Sequence, residues 1–396
     1  MSRHRAVPLG LAALLAALSM ISPFSIDTFF PSFRAMQHEF GVSGLQMQQT
    51  LTAYMLPFAI TALVHGPLSD ALGRRPVVLW GLAIYVLASA ACAFAPSFAT
   101  LLLFRAAQGM TAGVGMTVGR AVIRDRYDGP EAQRLMSVVT MIFSVAPAIA
   151  PIIGGWIHVA FGWRAVFGFL CVFGFALWLA TRLRLDESHP PERRVPFDAL
   201  SLAQTSWRIA SDRRFLLLAL AAAMNFATTM SYVGSAPAIV LDNWKLDETQ
   251  FAWLFVPVVS GFMIGAALSG RLAGRIEPAR QVNVGLGVAV FAGLCGVTLY
   301  GFVASPPILL QQLLLLLTAL GVQLVFPPLT LRMMDLFPQV RGSVASVQSF
   351  ISLLIGSLVL GLVVPWYAGS MLLLSAGSLF AALISMALWR LSIRGS

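Results

Sequence analysis

Twelve stretches of roughly 20 mostly apolar residues follow one another through this chain, and a water-soluble fold has no place to bury so many. They occupy residues 9–31, 47–65, 77–95, 98–118, 135–157, 163–180, 216–240, 251–269, 282–303, 308–329, 344–364 and 371–389. Only 11% of the 396 residues are charged and 58% are hydrophobic, whereas an ordinary soluble domain is roughly a quarter charged. Lipid-facing helices need no polar coat, so the pattern predicts an all-α membrane protein of twelve transmembrane helices.

The placement of cations tests that count. The formal net charge of +10 punctuates the gaps between apolar runs instead of gathering on one face, which reads as membrane topology and anchoring to anionic lipid, with no nucleic-acid partner. With both termini in the cytoplasm, twenty-two cations, beginning with Arg3 and Arg5 and ending with Arg390 and Arg394, fall on the cytoplasmic side. Arg34, Arg164 and Lys245 fall on the other, and Arg105 alone lies inside a span. A missed helix would reverse every later loop and erase this asymmetry. The first run is read as a retained helix, because it is long, lacks an A-x-A cleavage site and is followed by eleven more spans.

The longest polar stretch, 182–214, contains Pro190, Pro191 and Pro196 and separates six spans from six. The expected domains are therefore an N-terminal six-helix bundle (1–181), a cytoplasmic linker (182–214) and a C-terminal six-helix bundle (215–396). The pair Gly73-Arg74 recurs as Gly274-Arg275, an offset close to half the chain. That favours two parallel repeats with a cavity between halves that rock against each other.

Several enzyme classes lack their signatures. Cys92, Cys171 and Cys295 lie inside apolar runs and behave as small hydrophobes. His4, His38, His65, His158 and His189 lie in loops or at helix ends without metal-ligand spacing, and no G-x-x-x-x-G-K-[ST] loop is present. No metal, no cofactor, no ATP-driven cycle and no enzymatic activity are expected.

The remaining polar residues carry the chemistry. Gly66-Pro67-Leu68-Ser69-Asp70-Ala71-Leu72-Gly73-Arg74-Arg75-Pro76 closely resembles the loop signature G-x-L-x-D-x-x-G-R-R/K of the major facilitator superfamily. Its glycines permit a tight turn, and its arginines can pair with carboxylates such as Asp125. The resemblance implies that Gly66, Asp70, Gly73, Arg74, Arg75 and Asp125 form a conformational latch, with the helix entered at Gly342-Ser343 as a natural partner of Asp70. In the fourth span Leu101, Arg105, Gln108 and Gly109 resemble the family pattern L-x-x-x-R-x-x-Q-G.

An arginine at mid-bilayer depth costs about 2.5 to 3.5 kcal/mol on insertion scales and needs a partner. Asp27 is the one carboxylate placed inside any span, and it resembles the acidic residue of the first helix in drug/proton antiporters of the bicyclomycin and chloramphenicol resistance subfamily. Counting about 1.5 Å per residue from the outer helix ends puts Asp27 and Arg105 at one level, where an ion pair is expected. Desolvation drives a carboxylate toward its neutral form and a neighbouring arginine toward its charged one, so access to water from alternate faces can load and unload a proton. Asp27 and Arg105 are the expected proton-coupling pair.

Ala150, Pro151, Gly154 and Gly155, with Ala146 upstream, resemble the antiporter signature G-x-x-x-G-P-x-x-G-G with both upstream glycines replaced by alanine. They form an expected site of helix packing and kinking. Further similarity at Gly162-Trp163-Arg164, residues 232–237 and residues 342–345 points to the same resistance subfamily. A drug cavity is mostly apolar with a few orienting polar groups; Tyr54, Phe58, Gln108, Met224, Asn225, Phe226, Tyr232, Phe255 and Gln323 are its candidates.

The resemblance implies a proton-coupled antiporter, working as a monomer in a bacterial inner membrane and exporting small amphipathic drugs of phenicol or bicyclomycin type. Its nearest alternative exports an endogenous metabolite such as an amino acid, dipeptide or sugar. A membrane-embedded sensor or enzyme is the alternative from another class.

Overall fold

In the computed structural model the described residues are 9–127 and 129–394, helix and connecting loop with no strand among them. Arg3, His4 and Arg5 and the side chain of Arg394 lie outside the described residues. The helices are α1 (Leu9–Asp27), α2 (Phe33–Phe40), α3 (Gly44–Ala62), α4 (His65–Leu72), α5 (Arg74–Ala93), α6 (Phe98–Ala112), α7 (Val114–Arg126) and α8 (Gly129–Phe161). They continue as α9 (Trp163–Arg184), α10 (Ala199–Ser211), α11 (Arg213–Gly234), α12 (Ala252–Leu272), α13 (Pro278–Phe302), α14 (Ile308–Leu336), α15 (Arg341–Leu358) and α16 (Met371–Arg394).

Among the described residues ten helical segments are long and apolar enough to cross a membrane, and α3 with α4, bent by 51°, makes an eleventh when the pair is counted as one span. The expected fourth span is the exception to a simple count of twelve. It is split at Gly113 into α6 and α7, and neither piece reaches spanning length alone.

The local reason for the split is steric. A Cβ at Gly113 would stand 2.4 Å from the Phe58 ring, and one at Gly115 would stand 2.4 Å from the carbonyl oxygen of Leu18. At both positions glycine leaves room for the neighbouring element, and the helix is interrupted for one residue at Gly113. A continuous helix would offer the amide of Val114 to the carbonyl of Met110; here the buried ring of His65 takes that carbonyl at 3.0 Å through Nε2.

The expected first span also ends early, since α1 stops at Asp27 and a single 3₁₀ turn, Phe30–Ser32, leads into α2. Pro31 has no N–H to give the carbonyl four residues before it, which belongs to Asp27. The hydroxyl of Thr28 donates to the Phe24 carbonyl at 2.6 Å and closes the helix end.

The chain forms two compact units, one of residues 1–32 with 56–198 and one of residues 33–55 with 199–396. In the first, α1 packs on α7, α8 and α9, while α5 packs on α6 and α9. Small residues set the spacing: a Cβ at Gly154 of α8 would lie 1.8 Å from the carbonyl oxygen of Thr28.

In the second unit α14 is the shared neighbour of α11, α12 and α13, and α16 packs on α11 and α13. Gly261 faces the Leu316 carbonyl and Gly285 faces that of Gly321, so the backbones approach without side chains between them. Pro327 and Pro328 interrupt the hydrogen-bond ladder inside α14. The carbonyl of Leu324, which Pro328 cannot satisfy, accepts from Gln281 Nε2 at 2.9 Å. Gly73 and Gly274, the repeated pair, both adopt positive φ, +100° and +73°, which favours glycine at each corner.

Candidate functional site

Arg105 is fully buried. Its Nη1 donates to the carbonyl oxygen of Ser25 on α1 at 2.9 Å and to Gln108 Oε1 at 2.9 Å. Its guanidinium lies 4.4 Å from the centre of the Phe29 ring and 6.0 Å from that of Phe167. Gln108 passes the connection on, because its Nε2 donates to Ser89 Oγ at 2.8 Å. On the other side the hydroxyls of Ser25 and Tyr85 share a hydrogen bond of 2.6 Å. Side chains of α1, α5 and α6 thus join in one polar network inside an apolar bundle, the setting in which each bond is electrostatically strong and each missing one is costly.

Asp27 lies two residues beyond Ser25 and is 4% exposed. Its expected ion pair with Arg105 does not form: no ion pair among the described residues includes Asp27, and the guanidinium meets the first helix at a backbone carbonyl instead. The level estimated from helix lengths brings Arg105 to the right turn of α1, but α1 ends at Asp27 and presents the Ser25 carbonyl there.

A second cluster surrounds Gly73. Arg74, nearly buried, donates to Ser69 Oγ at 2.7 Å, to Asp70 Oδ1 at 2.5 Å and to Asp125 Oδ2 at 2.9 Å. Ser188 Oγ donates to the same Asp125 oxygen at 3.0 Å. Glu187 receives the backbone N–H groups of Arg74 and Arg75 at 2.9 and 3.2 Å, one on each carboxylate oxygen. It thereby caps the N-terminus of α5, where a negative charge meets the positive end of the helix dipole. Arg75 Nη2 donates to the Arg182 carbonyl, and Arg126 Nη2 to that of Asp186.

Reading the sequence missed Glu187 and Ser188, which lie in the linker far from the motif they complete. The tight turn attributed to both motif glycines belongs to Gly73; Gly66 lies inside α4 with open space around it.

On α8, Ala146, Ala150, Pro151, Gly154 and Gly155 are all buried. They sit within one helix that continues through both Pro147 and Pro151.

Each cavity candidate has its own set of neighbours within its unit. Gln108 belongs to the arginine network. Phe58 packs on Gly113, and Tyr54 and Phe255 are fully buried. Tyr232 turns to α16, its hydroxyl donating to Ser375 Oγ at 3.1 Å. Asn225 Nδ2 donates to the Val322 carbonyl at 3.0 Å, and its Oδ1 is buried without a hydrogen-bond partner. Phe226 lies near Gly356, and Met224 is half-buried. Gln323 lines a separate crevice of about 660 Å³ with Ser269, Gln281, Pro327 and Arg332.

A buried arginine hydrogen-bonded to the first helix and a capped Gly-Arg-Arg corner thus stand among apolar spans. The sequence profile of the Major Facilitator Superfamily matches residues 15–360. The chain belongs to the Major Facilitator Superfamily. It is similar to the Bacillus subtilis protein described as an uncharacterized MFS-type transporter YdgK, with 32% identity over 72% of this chain and 71% of that one. It is also similar to the bicyclomycin resistance protein homolog of Haemophilus influenzae, with 25% identity over 71% of this chain and 70% of the other.

Among solved structures, a bacterial homolog of the human lysosomal transporter Spinster in an inward-facing, unoccupied conformation shares the fold. It has a TM-score of 0.73 and 16% identity and covers 98% of each chain. This Major Facilitator Superfamily transporter is a multi-pass protein of the bacterial inner membrane.

Proposed function

We propose that this transporter is a proton-coupled antiporter that exports small amphipathic drugs of the phenicol or bicyclomycin type, with Asp27 as its proton-coupling acid. The observation that carries this reading is the pair of buried groups at the end of α1: an acid that no cation holds and, two residues away, an arginine anchored on the backbone. A buried carboxyl in this position can take up a proton from one side and release it to the other as water reaches it in turn. Arg105 contributes a fixed positive field at the same helix end and keeps it whether or not Asp27 is charged.

The cluster of Gly66, Asp70, Gly73, Arg74, Arg75 and Asp125 acts in this reading as the conformational latch. The small residues Ala150, Gly154 and Gly155, with Pro151, act as the packing surface on which the first helix bears. Asn225, with a buried unpartnered acceptor oxygen, is the candidate best suited to orient a substrate through a hydrogen bond. Similarity to the bicyclomycin resistance protein homolog supports the bicyclomycin-type part of this reading.

Proteoliposomes loaded with a pH-sensitive dye test the proposal. Addition of a transported phenicol or bicyclomycin-type compound is expected to move protons in the wild type and to move none in Asp27→Asn, which retains binding. Substrate accumulation by Asp27→Asn against its gradient, driven by a pH difference, would overturn the assignment.

A further inference from the structure

The linker helix α10 has an unusual surface. Its inner face is covered, with Ile209 fully buried and the helix resting on α11 and α15. Its outer face carries Leu200, Ala203, Trp207 and Ser211 at helical spacing, and Leu200 and Trp207 are 67% and 76% exposed. Exposed tryptophan and leucine on one stripe are costly in water and suited to a lipid interface.

The chain fixes where that stripe can be. Only Asp212 separates α10 from the spanning helix α11, and the joint is capped: Asp212 Oδ1 accepts from the amide of Phe215 at 2.8 Å. The exposed arginines Arg213 and Arg214 open α11, and Arg208 stands exposed beside Trp207. Trp207 is therefore about 9 Å along the helix from the mouth of a membrane span, at 1.5 Å per residue. Cations next to apolar side chains at that level complement anionic headgroups.

We propose that α10 is an interfacial anchor whose Leu200–Trp207 stripe enters the headgroup layer and whose Arg208, Arg213 and Arg214 bind anionic phospholipid. The linker is then a membrane-bound element, tied to α11 through one rigid residue. This inference does not depend on proton coupling or on the drug class.

A nitroxide placed at Trp207→Cys in the full-length protein, reconstituted into phosphatidylcholine vesicles with and without phosphatidylglycerol, tests it. Identically treated protein without the substitution supplies the background of Cys92, Cys171 and Cys295. Relaxation by oxygen is expected to exceed relaxation by a water-soluble nickel complex several-fold, and the excess is expected to grow when phosphatidylglycerol is present. Adding Arg208→Gln and Arg213→Gln should remove the phosphatidylglycerol-dependent part. A label in bulk water, a label shielded from both reagents as in contact with another protein, or a depth indifferent to phosphatidylglycerol would each overturn the proposal. If the substitution at 207 prevents folding, Leu200→Cys gives the same reading from the other end of the stripe.

Discussion

Arg105 donates to the carbonyl oxygen of Ser25, so the charge buried in the fourth span is tied to the backbone of the first and not to its carboxylate. That bond cannot be lost by titration or by substitution at Asp27. Arg105→Lys keeps the charge but gives up the rigid planar guanidinium whose Nη1 reaches both Ser25 and Gln108. A hydrogen bond made by a charged group contributes about 1.5 to 3 kcal/mol. The variant is expected to melt earlier in detergent than Asp27→Asn does, as followed by intrinsic fluorescence.

Gly154 and Gly66 make an internal contrast. A methyl group at 154 would collide with the Thr28 carbonyl, whereas one at 66 meets open space. Gly154→Ala is expected to lower the yield of folded, monodisperse protein sharply. Gly66→Ala, inside α4, should leave thermal stability unchanged or raise it by up to about 1 kcal/mol through helix propensity. Size-exclusion profiles and melting curves of the two variants compare them directly.

Glu187 supplies a carboxylate to the first amides of α5, an N-terminal capping interaction whose loss typically costs about 0.5 to 2 kcal/mol. Glu187→Ala is expected to speed amide hydrogen exchange at Arg74 and Arg75 while leaving the middle of α5 protected. Equal exchange in the two proteins would show that the cap does not hold this corner.

His65→Leu removes the group that accompanies the Met110 carbonyl at the junction of α6 and α7. A buried polar group left without a partner costs about 1 to 3 kcal/mol. The expected result is a lower melting temperature, with hydrogen exchange rising first around residues 110–114.

Much of this architecture is legible in the sequence because lipid imposes one rule on every span. Apolar length marks the helices, and the R-x-x-Q spacing puts Arg105 and Gln108 on one face, where they hydrogen-bond. The break at Gly113 is hidden because the apolar run continues through it, and the neighbours that crowd it, Phe58 and Leu18, are remote in sequence. The acceptor of Arg105 is hidden for another reason: a backbone carbonyl has the same chemistry at every residue and leaves no signature. Proline leaves a mixed signal, since α1 ends before Pro31 but runs through Pro23. Glu187 was unreadable because a polar, proline-rich linker offers many carboxylates and no periodicity to select one.

Because the helix is interrupted at Gly113, Arg105 and Asp125 stand on separate helices and share no unbroken backbone hydrogen-bond ladder. The imidazole of His65 meets the Met110 carbonyl at that junction, so a side chain of α4 touches the point where the ladder stops.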